Sequence, residues 1–324
     1  MLGVRSVGHN PEFRHEALIY EGRRGFLDSS APFIREGLRA GEPVLVLVAG
    51  HKIEWLLDEL GDDAADVFFE DVAEAGANPG RLIDHWHQFD RAHSEAPALR
   101  GIGELAGPDR SAEALDECRR HEALLNLAFD GKRDFWLLCP YDAAELPPDL
   151  VAGARRTHPL IAENGGEHPS DHYEDGFGTL AGELSPPPSD ALELEFRAGD
   201  TRAIRAFADD HGRAHELSLT DLENLVFAAG ELAANSIQHG GGHGTIVAWG
   251  GVGSAVLEVR DSGVIRDPLV GRVRPGLDGA RGRGLWLLEQ LCDLVQIRSG
   301  PEGTVVRVHT GANGSRVARR RRPA

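Results

Sequence analysis

One stretch with few large apolar residues divides this 324-residue chain into two halves. Residues 163–190 contain the pair Gly165-Gly166, many acidic residues and the run Ser185-Pro186-Pro187-Pro188-Ser189. Glycines and consecutive prolines interrupt helices and strands, so we expect a linker with partly extended polyproline character. The chain is long enough for two domains that each bury a core. We place them at 1–163 and 191–312, with the linker at 164–190 and a basic, disordered tail at 313–324.

The first half alternates short apolar runs with amphipathic stretches. The runs include 43–48 and 135–139, and the amphipathic stretches include 26–40 and 112–129. Uninterrupted apolar runs separated by helical stretches are typical of a parallel sheet with helices on both faces. We therefore expect an α/β domain in the first half.

The second half starts with helices and ends with strands. Its pattern predicts a strand at 192–196, a helix at 201–211 and a long helix at 220–239 that Thr220 caps, with Glu223 completing a capping box. Further strands are predicted at 244–249, 255–259, 295–298 and 304–309, and a helix at 284–293. This order predicts a mixed sheet covered by helices on one face.

Composition and charge exclude several classes of function. The formal net charge of −18 argues against a broad nucleic-acid surface, and the arginines at 316 and 319–322 are expected to be solvated. No apolar stretch is long enough to cross a bilayer, and residues 1–5 lack the apolar core of a signal peptide, so we expect a cytoplasmic location. Three widely spaced cysteines are expected to be buried free thiols. They are Cys118, Cys139 and Cys292.

The long helix predicted at 220–239 carries the first candidate site residues. Glu231 and Asn235 are four residues apart, so they project from the same side of a helix. An amide oxygen can coordinate Mg²⁺, which takes few protein ligands, and a carboxylate can accept a proton from an attacking hydroxyl. Taken alone, the pair would be an ordinary polar helix face.

Two glycine-containing motifs follow. Asp261 ends a predicted strand just before Gly263, and its carboxylate can accept a hydrogen bond from the exocyclic amine of adenine, while the glycine lets the backbone approach a flat ligand. Gly282 and Gly284 open an apolar helix that continues with Leu285. Backbone N–H groups and the helix dipole favour phosphate at such a helix start.

Two further features accompany these motifs. Residues 266–281 combine glycines, prolines and many charges, which is typical of a mobile lid. Thr304 begins the last strand, where its hydroxyl could support Asp261 or could serve only as a β-branched strand residue.

Taken in this order, the four elements resemble the ATP-binding domain of the GHKL superfamily (gyrase, Hsp90, histidine kinase, MutL). The resemblance covers roughly 192–310 and implies an α+β Bergerat sandwich that binds ATP and Mg²⁺. It assigns nucleotide-binding roles to Asn235, Asp261, Gly263, Gly282, Gly284, Leu285 and Thr304. The adenine motif of the superfamily usually runs Asp-x-Gly-x-Gly, whereas Ile265 stands here in place of the second glycine.

The short helix before the Glu231 helix and the sequence from Gly282 to Leu287 resemble the anti-sigma-factor serine kinases. The resemblance implies that Glu231 is the catalytic base, that Asn235 is the Mg²⁺ ligand, and that an anti-anti-sigma (STAS) protein and a sigma factor are partners. It is also compatible with a homodimer. A non-enzymatic, ATP-dependent binding switch is the alternative.

An atypical histidine kinase that phosphorylates His215 is less favoured. The sequence His215-Glu216-Leu217 is similar to the phospho-acceptor box of histidine kinases. That class needs a long dimerisation hairpin between the histidine and the ATP-binding domain. Only fifteen residues separate His215 from Glu231, too few for such a hairpin at the helical rise of about 1.5 Å per residue. We therefore expect His215 to be structural.

Four segments of the first half resemble the MEDS sensory domain. They are 14–20, 99–104, 137–142 and His158-Pro159, and the similarity covers roughly 12–164. The resemblance implies a RecA-like fold that senses an unknown small molecule or a partner. The chain contains no G-x-x-x-x-G-K-[ST] sequence, so a functional P-loop is excluded.

Two residues of the first half are candidate ligand contacts. Glu104 and Tyr141 follow or end predicted strands, and α/β sheets bind ligands at the carboxyl ends of their strands. Helix capping and packing at the edge of the core are alternative roles for the two residues.

Overall fold

The computed structural model describes residues 12–131, 133–174, 182–276 and 282–311. The chain divides into two compact units. The first comprises Met1–Val72, Gln88–Pro108 and Glu122–Gly176, and the second comprises Ala73–His87, Asp109–His121 and Phe177–Ala324. The predicted basic tail, part of the predicted linker and residues 277–281 of the predicted lid lie outside the described residues.

The first unit is built on a seven-stranded sheet. Its strands are β1 (Phe13–Tyr20), β2 (Val44–Val48), β3 (Val67–Asp71), β4 (Leu99–Gly103), β5 (Phe135–Asp142), β6 (Leu160–Glu163) and β7 (Gly166–Pro169). They lie in the order β3-β2-β4-β5-β1-β6-β7, and every neighbouring pair is parallel except β6 with β7. The predicted parallel sheet is therefore confirmed except at β7, which pairs antiparallel at the edge.

The β6–β7 hairpin occupies the start of the stretch that the sequence predicts to be a linker. Asn164 and Gly165 have φ angles of 52° and 74°, which is the conformation of a two-residue hairpin turn. The Asn164-Gly165 turn thus leads the chain into a further strand of the sheet, and regular structure continues to Pro169.

Helices cover both faces of this sheet. The helices of the first half are α1 (Gly22–Ala40), α2 (Gly50–Leu60), α3 (Val72–Ala75), α4 (Leu82–Ala92), α5 (Ala112–Phe129) and α6 (Pro148–Thr157). Leu18 and Tyr20 of β1 pack in one core with Phe26 of α1. His15 of β1 instead bonds to Glu122 of α5. Because odd and even strand residues face opposite sides, α1 and α5 lie on opposite faces, as predicted.

The second unit contains a five-stranded antiparallel sheet. Its elements are β8 (Leu192–Arg197), α7 (Thr201–Ala214), α8 (Leu219–His239), β9 (His243–Gly251), β10 (Ser254–Asp261), α9 (Arg283–Leu291), β11 (Leu294–Gly300) and β12 (Gly303–Gly311). The strand order is β11-β12-β10-β9-β8, and all four neighbouring pairs are antiparallel. The predicted mixed sheet is therefore wrong. Tight turns join β9 to β10 and β11 to β12. The helices α7 and α8 connect β8 to β9, and this connection leaves β9 antiparallel to β8.

The two faces of this sheet differ in polarity. Leu257 and Val308 pack against Leu232 of α8 in an apolar core. Their strand neighbours Glu258 and Arg307 face the other side, where the guanidinium donates a hydrogen bond of 2.8 Å to the carboxylate. The helices therefore cover the apolar face of the sheet.

Helix α8 begins one residue earlier than predicted. Its capping residue is Ser218, whose hydroxyl accepts a hydrogen bond of 3.2 Å from the Asp221 N–H and donates one of 2.7 Å to the Asp221 carboxylate. The prediction of Thr220 as the cap is therefore wrong. Both Ser218-x-x-Asp221 and Thr220-x-x-Glu223 offer the residue types of a capping pair, and the earlier pair starts the helix.

Two other sequence predictions concern the described residues. The cysteines at 118, 139 and 292 are buried and none of them forms a disulfide, as predicted. Within the described ranges, no helix has both the length and the apolar character that a membrane span requires.

Candidate nucleotide site

Helix α8 presents Glu231 and Asn235 on one ridge. Both are half-buried, whereas Leu232 and Ser236 beside them are buried. A spacing of four residues on the observed helix puts the carboxylate and the amide on the same side. The structure therefore brings together the two residues that the sequence pairs.

The first turn of α9 lies against this ridge. Gly282 precedes the helix with a φ of 80°, a left-handed conformation that glycine adopts without strain. A Cβ atom on Gly284 would lie 2.5 Å from Oε2 of Glu231, so a larger residue there would displace the Glu231 carboxylate. The Glu231 side of α8 thus faces a helix N-terminus, whose N–H groups lack partners within the helix and favour anions. The Leu285 side chain is 7% exposed and belongs to the core, so only its backbone N–H could contact a ligand.

Asp261, the last residue of β10, is held by two donors. The Ser236 hydroxyl donates to Oδ2 over 2.6 Å, and the Gly263 N–H donates to Oδ1 over 2.8 Å. A carboxylate oxygen has two lone pairs, so each oxygen of Asp261 can accept a further hydrogen bond. This fixed carboxylate, tied to α8 one residue beyond Asn235, is suited to accept a hydrogen bond from an exocyclic amine.

Thr304 supports the turn after Asp261. Its hydroxyl donates to the carbonyl oxygen of Gly263 over 2.8 Å and lies 2.8 Å from the Ser299 hydroxyl. Ser299 in turn accepts a hydrogen bond of 2.8 Å from the N–H of Ile265. Thr304 therefore supports Asp261 through Gly263. The N–H of Ile265, where the superfamily usually has its second glycine, is satisfied by this serine.

Ser236 and Ser299 are two residues of this site that were not predicted from the sequence. Ser236 directly follows Asn235, so its place in the helix motif was an available signal. Ser299 lies on β11, and only the pairing of β11 with β12 places it opposite Thr304. No local pattern marks it.

Replacing Gly263 with alanine should lower nucleotide affinity about 10-fold, or about 1.4 kcal/mol. The added Cβ would lie 2.7 Å from the His239 carbonyl oxygen and 2.9 Å from the Gly240 Cα. Both are backbone atoms, so no side-chain rotation relieves the overlap. Titration calorimetry measures the affinity. Gly107→Ala is the control, because no atom of the described residues lies within 4 Å of its added Cβ and Gly107 is outside the predicted ATP-binding domain. Equal losses in the two variants would contradict the assignment.

The segment after β10 is anchored at Arg272. This residue is 2% exposed and forms ion pairs with Glu117 at 2.8 Å and with Glu289 at 3.2 Å. Burial raises the pKa of the Glu289 carboxyl to about 7. The sequence predicts a mobile lid over 266–281, but a buried and ion-paired arginine fixes the chain at this point.

His215 lies in the short connection between α7 and α8. Its ring packs on that of His211 with 4.4 Å between the centroids, and its carbonyl oxygen accepts a hydrogen bond of 2.7 Å from the Gly253 N–H. These contacts are those of a structural residue that closes α7. Whether His215 accepts a phosphoryl group is not tested by these contacts, and its exclusion stays a prediction.

In the first unit, Glu104 directly follows β4 and pairs with Lys52. The Lys52 ammonium donates to the Glu104 carboxylate and, over 2.6 Å, to the Tyr20 hydroxyl. Lys52 is 4% exposed and Glu104 is 8% exposed. Burial and the nearby Glu104 charge raise the pKa of the Tyr20 phenol. Glu104 is thus neutralised within the protein.

Tyr141 lies in a different cluster. It is 4% exposed, and its ring meets that of His158 edge-on with 5.7 Å between the centroids. A cleft of about 940 Å³ opens elsewhere in this unit, lined by residues of α1, β1, β5 and the β6–β7 hairpin. Neither Glu104 nor Tyr141 lines this cleft, which sequence analysis did not identify.

Replacing Lys52 with methionine should destabilise the first unit by about 3–5 kcal/mol, because the Glu104 carboxylate would remain buried without its cation. Chemical denaturation of the full chain measures the loss. The double variant Lys52→Met/Glu104→Leu removes both charges and should recover most of the stability. A loss below about 1 kcal/mol in the single variant would contradict the buried pair.

Comparisons with known proteins match both halves. Residues 14–159 match the family described as MEDS, the methanogen/methylotroph, DcmR sensory domain, and residues 194–310 match the histidine kinase-like ATPase domain. The resemblances to the MEDS domain and to the ATP-binding domain of the GHKL superfamily are thereby confirmed. No curated protein matches the chain.

Part of this chain is similar to a solved structure of the RsbU and RsbW domains of a Mycobacterium tuberculosis protein. The identity is 18% and the TM-score is 0.28, and the alignment covers 39% of this chain and 34% of that chain. The chain thus spans about a third of the length of that structure.

Proposed function

We propose that this chain, in which a MEDS sensory domain is joined to a histidine kinase-like ATPase domain, is an ATP-binding signalling regulator of the anti-sigma type. The observation that carries the proposal is the meeting of the Glu231–Asn235 ridge with the glycine-opened start of α9. We further propose a RecA-like fold for the domain predicted at 1–163 and a Bergerat fold for the domain predicted at 191–312. The start of the linker predicted at 164–190 belongs to the β6–β7 hairpin of the first sheet, and the rest would join the two domains.

The residues of this site fit ATP with Mg²⁺. The Asp261 carboxylate, held by Ser236 and Gly263, would accept a hydrogen bond from the adenine amine. The N–H groups at the start of α9 would bind phosphate oxygens. The Asn235 amide oxygen would be the protein ligand of Mg²⁺, which keeps most of its waters. The ion would neutralise phosphate charge when bound.

The proposed reaction is phosphoryl transfer to a serine of a partner protein. Glu231 would accept the proton of the serine hydroxyl as the serine oxygen bonds to the γ-phosphorus. The bond from that phosphorus to the bridging oxygen would break, and ADP would leave. Phosphoryl transfer depends mostly on positioning and charge neutralisation, so this small set of residues suffices.

The proposed partners are an anti-anti-sigma (STAS) protein as substrate and a sigma factor that the regulator sequesters. Both follow from the resemblance to the anti-sigma-factor serine kinases. The first domain would sense a small molecule or a partner and set the output of the second. We propose a cytoplasmic location, a possible homodimer and no direct contact with nucleic acid.

Incubation of the full chain with γ-labelled ATP, Mg²⁺ and candidate STAS proteins tests this function. Candidates come from pull-downs performed with and without ATP. We expect label on a serine of the partner. ATP-dependent capture without transfer would instead support the binding switch. Acid-labile label on His215 would support the histidine kinase.

A further inference from the structure

Four side chains with metal-binding atoms meet in the interior of the first unit. His15 comes from β1, Glu122 from α5, Cys139 from β5, and His158 directly follows α6. Each is at most 3% exposed. One ligand atom from each residue can be chosen so that all four atoms lie within 4.8 Å of one another. These residues form a compact, buried set of two nitrogens, one oxygen and one sulfur.

Four of the six distances within this set are close to those of a tetrahedral coordination shell. Oε2 of Glu122 lies 3.1 Å from Nε2 of His15 and 3.4 Å from Nε2 of His158. The Cys139 sulfur lies 3.4 Å from Nε2 of His15 and 3.5 Å from Oε2 of Glu122. Two ligands on a tetrahedral zinc with bonds of about 2.0–2.3 Å are about 3.3–3.6 Å apart. The ligand atoms therefore need little movement to surround an ion.

Both histidines are oriented by acceptors on the far side of the ring. Nδ1 of His15 lies 3.0 Å from the Asn126 side-chain oxygen, and Nδ1 of His158 lies 2.8 Å from the Ala154 carbonyl oxygen. An oxygen acceptor favours a proton on Nδ1, so in His158 the lone pair of Nε2 points into the set. Nε2 of His15 faces the Glu122 carboxylate, and an ion between them would take its lone pair. Nε2 of His158 makes no hydrogen bond to the residues that the structure describes, although Oε2 of Glu122 lies 3.4 Å from it.

The orientation of Asn126 is itself fixed. Its side-chain nitrogen donates to the Thr157 carbonyl oxygen over 2.8 Å, which leaves the amide oxygen for His15. An outer shell of this kind, which sets the tautomer and the ring orientation, is what ligating histidines have in metal sites. Buried polar atoms usually make a hydrogen bond, so a purely structural cluster does not explain why Nε2 of His158 makes none.

We propose that His15, Glu122, Cys139 and His158 form a closed site for a divalent transition metal of the zinc class. The carboxylate and the thiolate together carry two negative charges, so a divalent ion would make the buried site neutral. The thiol proton would pass to solvent as the metal–sulfur bond forms. Nitrogen and sulfur ligands favour zinc over magnesium or calcium.

The proposed site is closed. Four protein ligands complete a tetrahedral shell, and the burial of all four leaves no open position for a substrate. Cys139 is therefore a ligand and not a nucleophile for external substrates. The ion would link β1 and β5, which are neighbouring strands, to α5 and to the end of α6. One metal would therefore stabilise the packing of these two helices on the sheet.

Metal analysis of the full chain tests the proposal. The protein is purified without chelator from cells supplied with zinc, and bound metals are measured by mass spectrometry. We expect about one zinc per chain, falling at least about 10-fold in Cys139→Ala and in His158→Ala. Cys292→Ala, which changes a buried cysteine outside the set, is the control and should keep the metal. Metal-free wild-type protein, or equal metal content in all variants, would overturn the site.

Two measurements on the wild-type chain do not depend on the folding of a variant. Cobalt(II) in the site should give the visible spectrum of a tetrahedral complex and a sulfur-to-cobalt charge-transfer band. A strong chelator should lower the Tm by about 5 °C or more, because an ion that binds only the folded chain stabilises it. Bound cobalt without a charge-transfer band would exclude Cys139 as a ligand, and an unchanged Tm after complete metal removal would exclude the tie between the elements.

Discussion

Asn235→Ala should raise the Kd for ATP with Mg²⁺ at least about 100-fold, or about 2.7 kcal/mol. Asn235 supplies the amide oxygen proposed as the Mg²⁺ ligand. It is half-buried and lies about one turn along α8 from Glu231, whose carboxylate is close to Gly284. Alanine keeps the helix but has no side-chain oxygen, so α8 would no longer supply a ligand to the Mg²⁺ that binds with ATP. Titration calorimetry of the full chain with ATP and Mg²⁺ measures the change.

Asn224→Ala is the matched control for this variant. Asn224 is also an asparagine of α8, and its side-chain nitrogen donates to the Leu291 carbonyl oxygen over 3.1 Å. The variant loses an amide from the same helix at a distance of about three turns from Asn235. We expect it to keep its affinity for ATP. An Asn235→Ala Kd within about 3-fold of the wild-type value would exclude the proposed ligand.

Glu231→Gln should lower the rate of phosphoryl transfer by about 10³-fold while ATP affinity changes by no more than about 3-fold. Glutamine has nearly the shape of glutamate and fits beside Gly284, but it cannot accept the proton of the serine hydroxyl. Transfer of labelled phosphate to the partner protein measures the rate, and calorimetry measures the affinity.

Glu223→Gln is the control for the loss of one carboxylate from α8. Glu223 is exposed and lies two turns before Glu231, so its replacement should leave both transfer and binding unchanged. Transfer at the wild-type rate in Glu231→Gln would show that this residue is not the base. A loss of binding as large as the loss of transfer would show that Glu231 acts in holding the nucleotide.

Local patterns predicted most elements of the fold but not the way the second sheet assembles. The 3.6-residue period marked α5 and α8, and apolar runs marked β2 and β5, because burial of one face or of a whole strand is written in neighbouring residues. Whether two strands pair parallel or antiparallel depends on the path of the connection between them, which local sequence patterns do not show. The antiparallel β8–β9 pair and the turn at Asn164-Gly165 therefore became clear only from the structure.

The candidate nucleotide site was largely predictable because its residues form short motifs in a fixed order. Glu231 and Asn235 share a helix face, and Gly282 and Gly284 open a helix, so each pair could be recognised locally. Ser299 could not, because it acts through a bond to Thr304 across two strands.

The buried set of four residues in the first unit, like Ser299, depends on strand pairing that the sequence does not show. His15, Cys139 and His158 each lie in a segment that resembles the sensory domain, which was the available signal. Only the parallel register in which Ala17 pairs with Cys139 brings His15 and Cys139 to the same face of the sheet. Sequence spacing alone does not carry that information.

The most direct test of the nucleotide site is titration calorimetry of the full chain with ATP and with GTP in the presence of Mg²⁺. The Asp261 carboxylate can accept a hydrogen bond from the amine of adenine, whereas guanine has a carbonyl oxygen at that position, which would face the carboxylate. We expect ATP to saturate one site per chain and GTP to bind at least about 100-fold more weakly. No heat with ATP, or equal affinity for the two nucleotides, would contradict the proposed site.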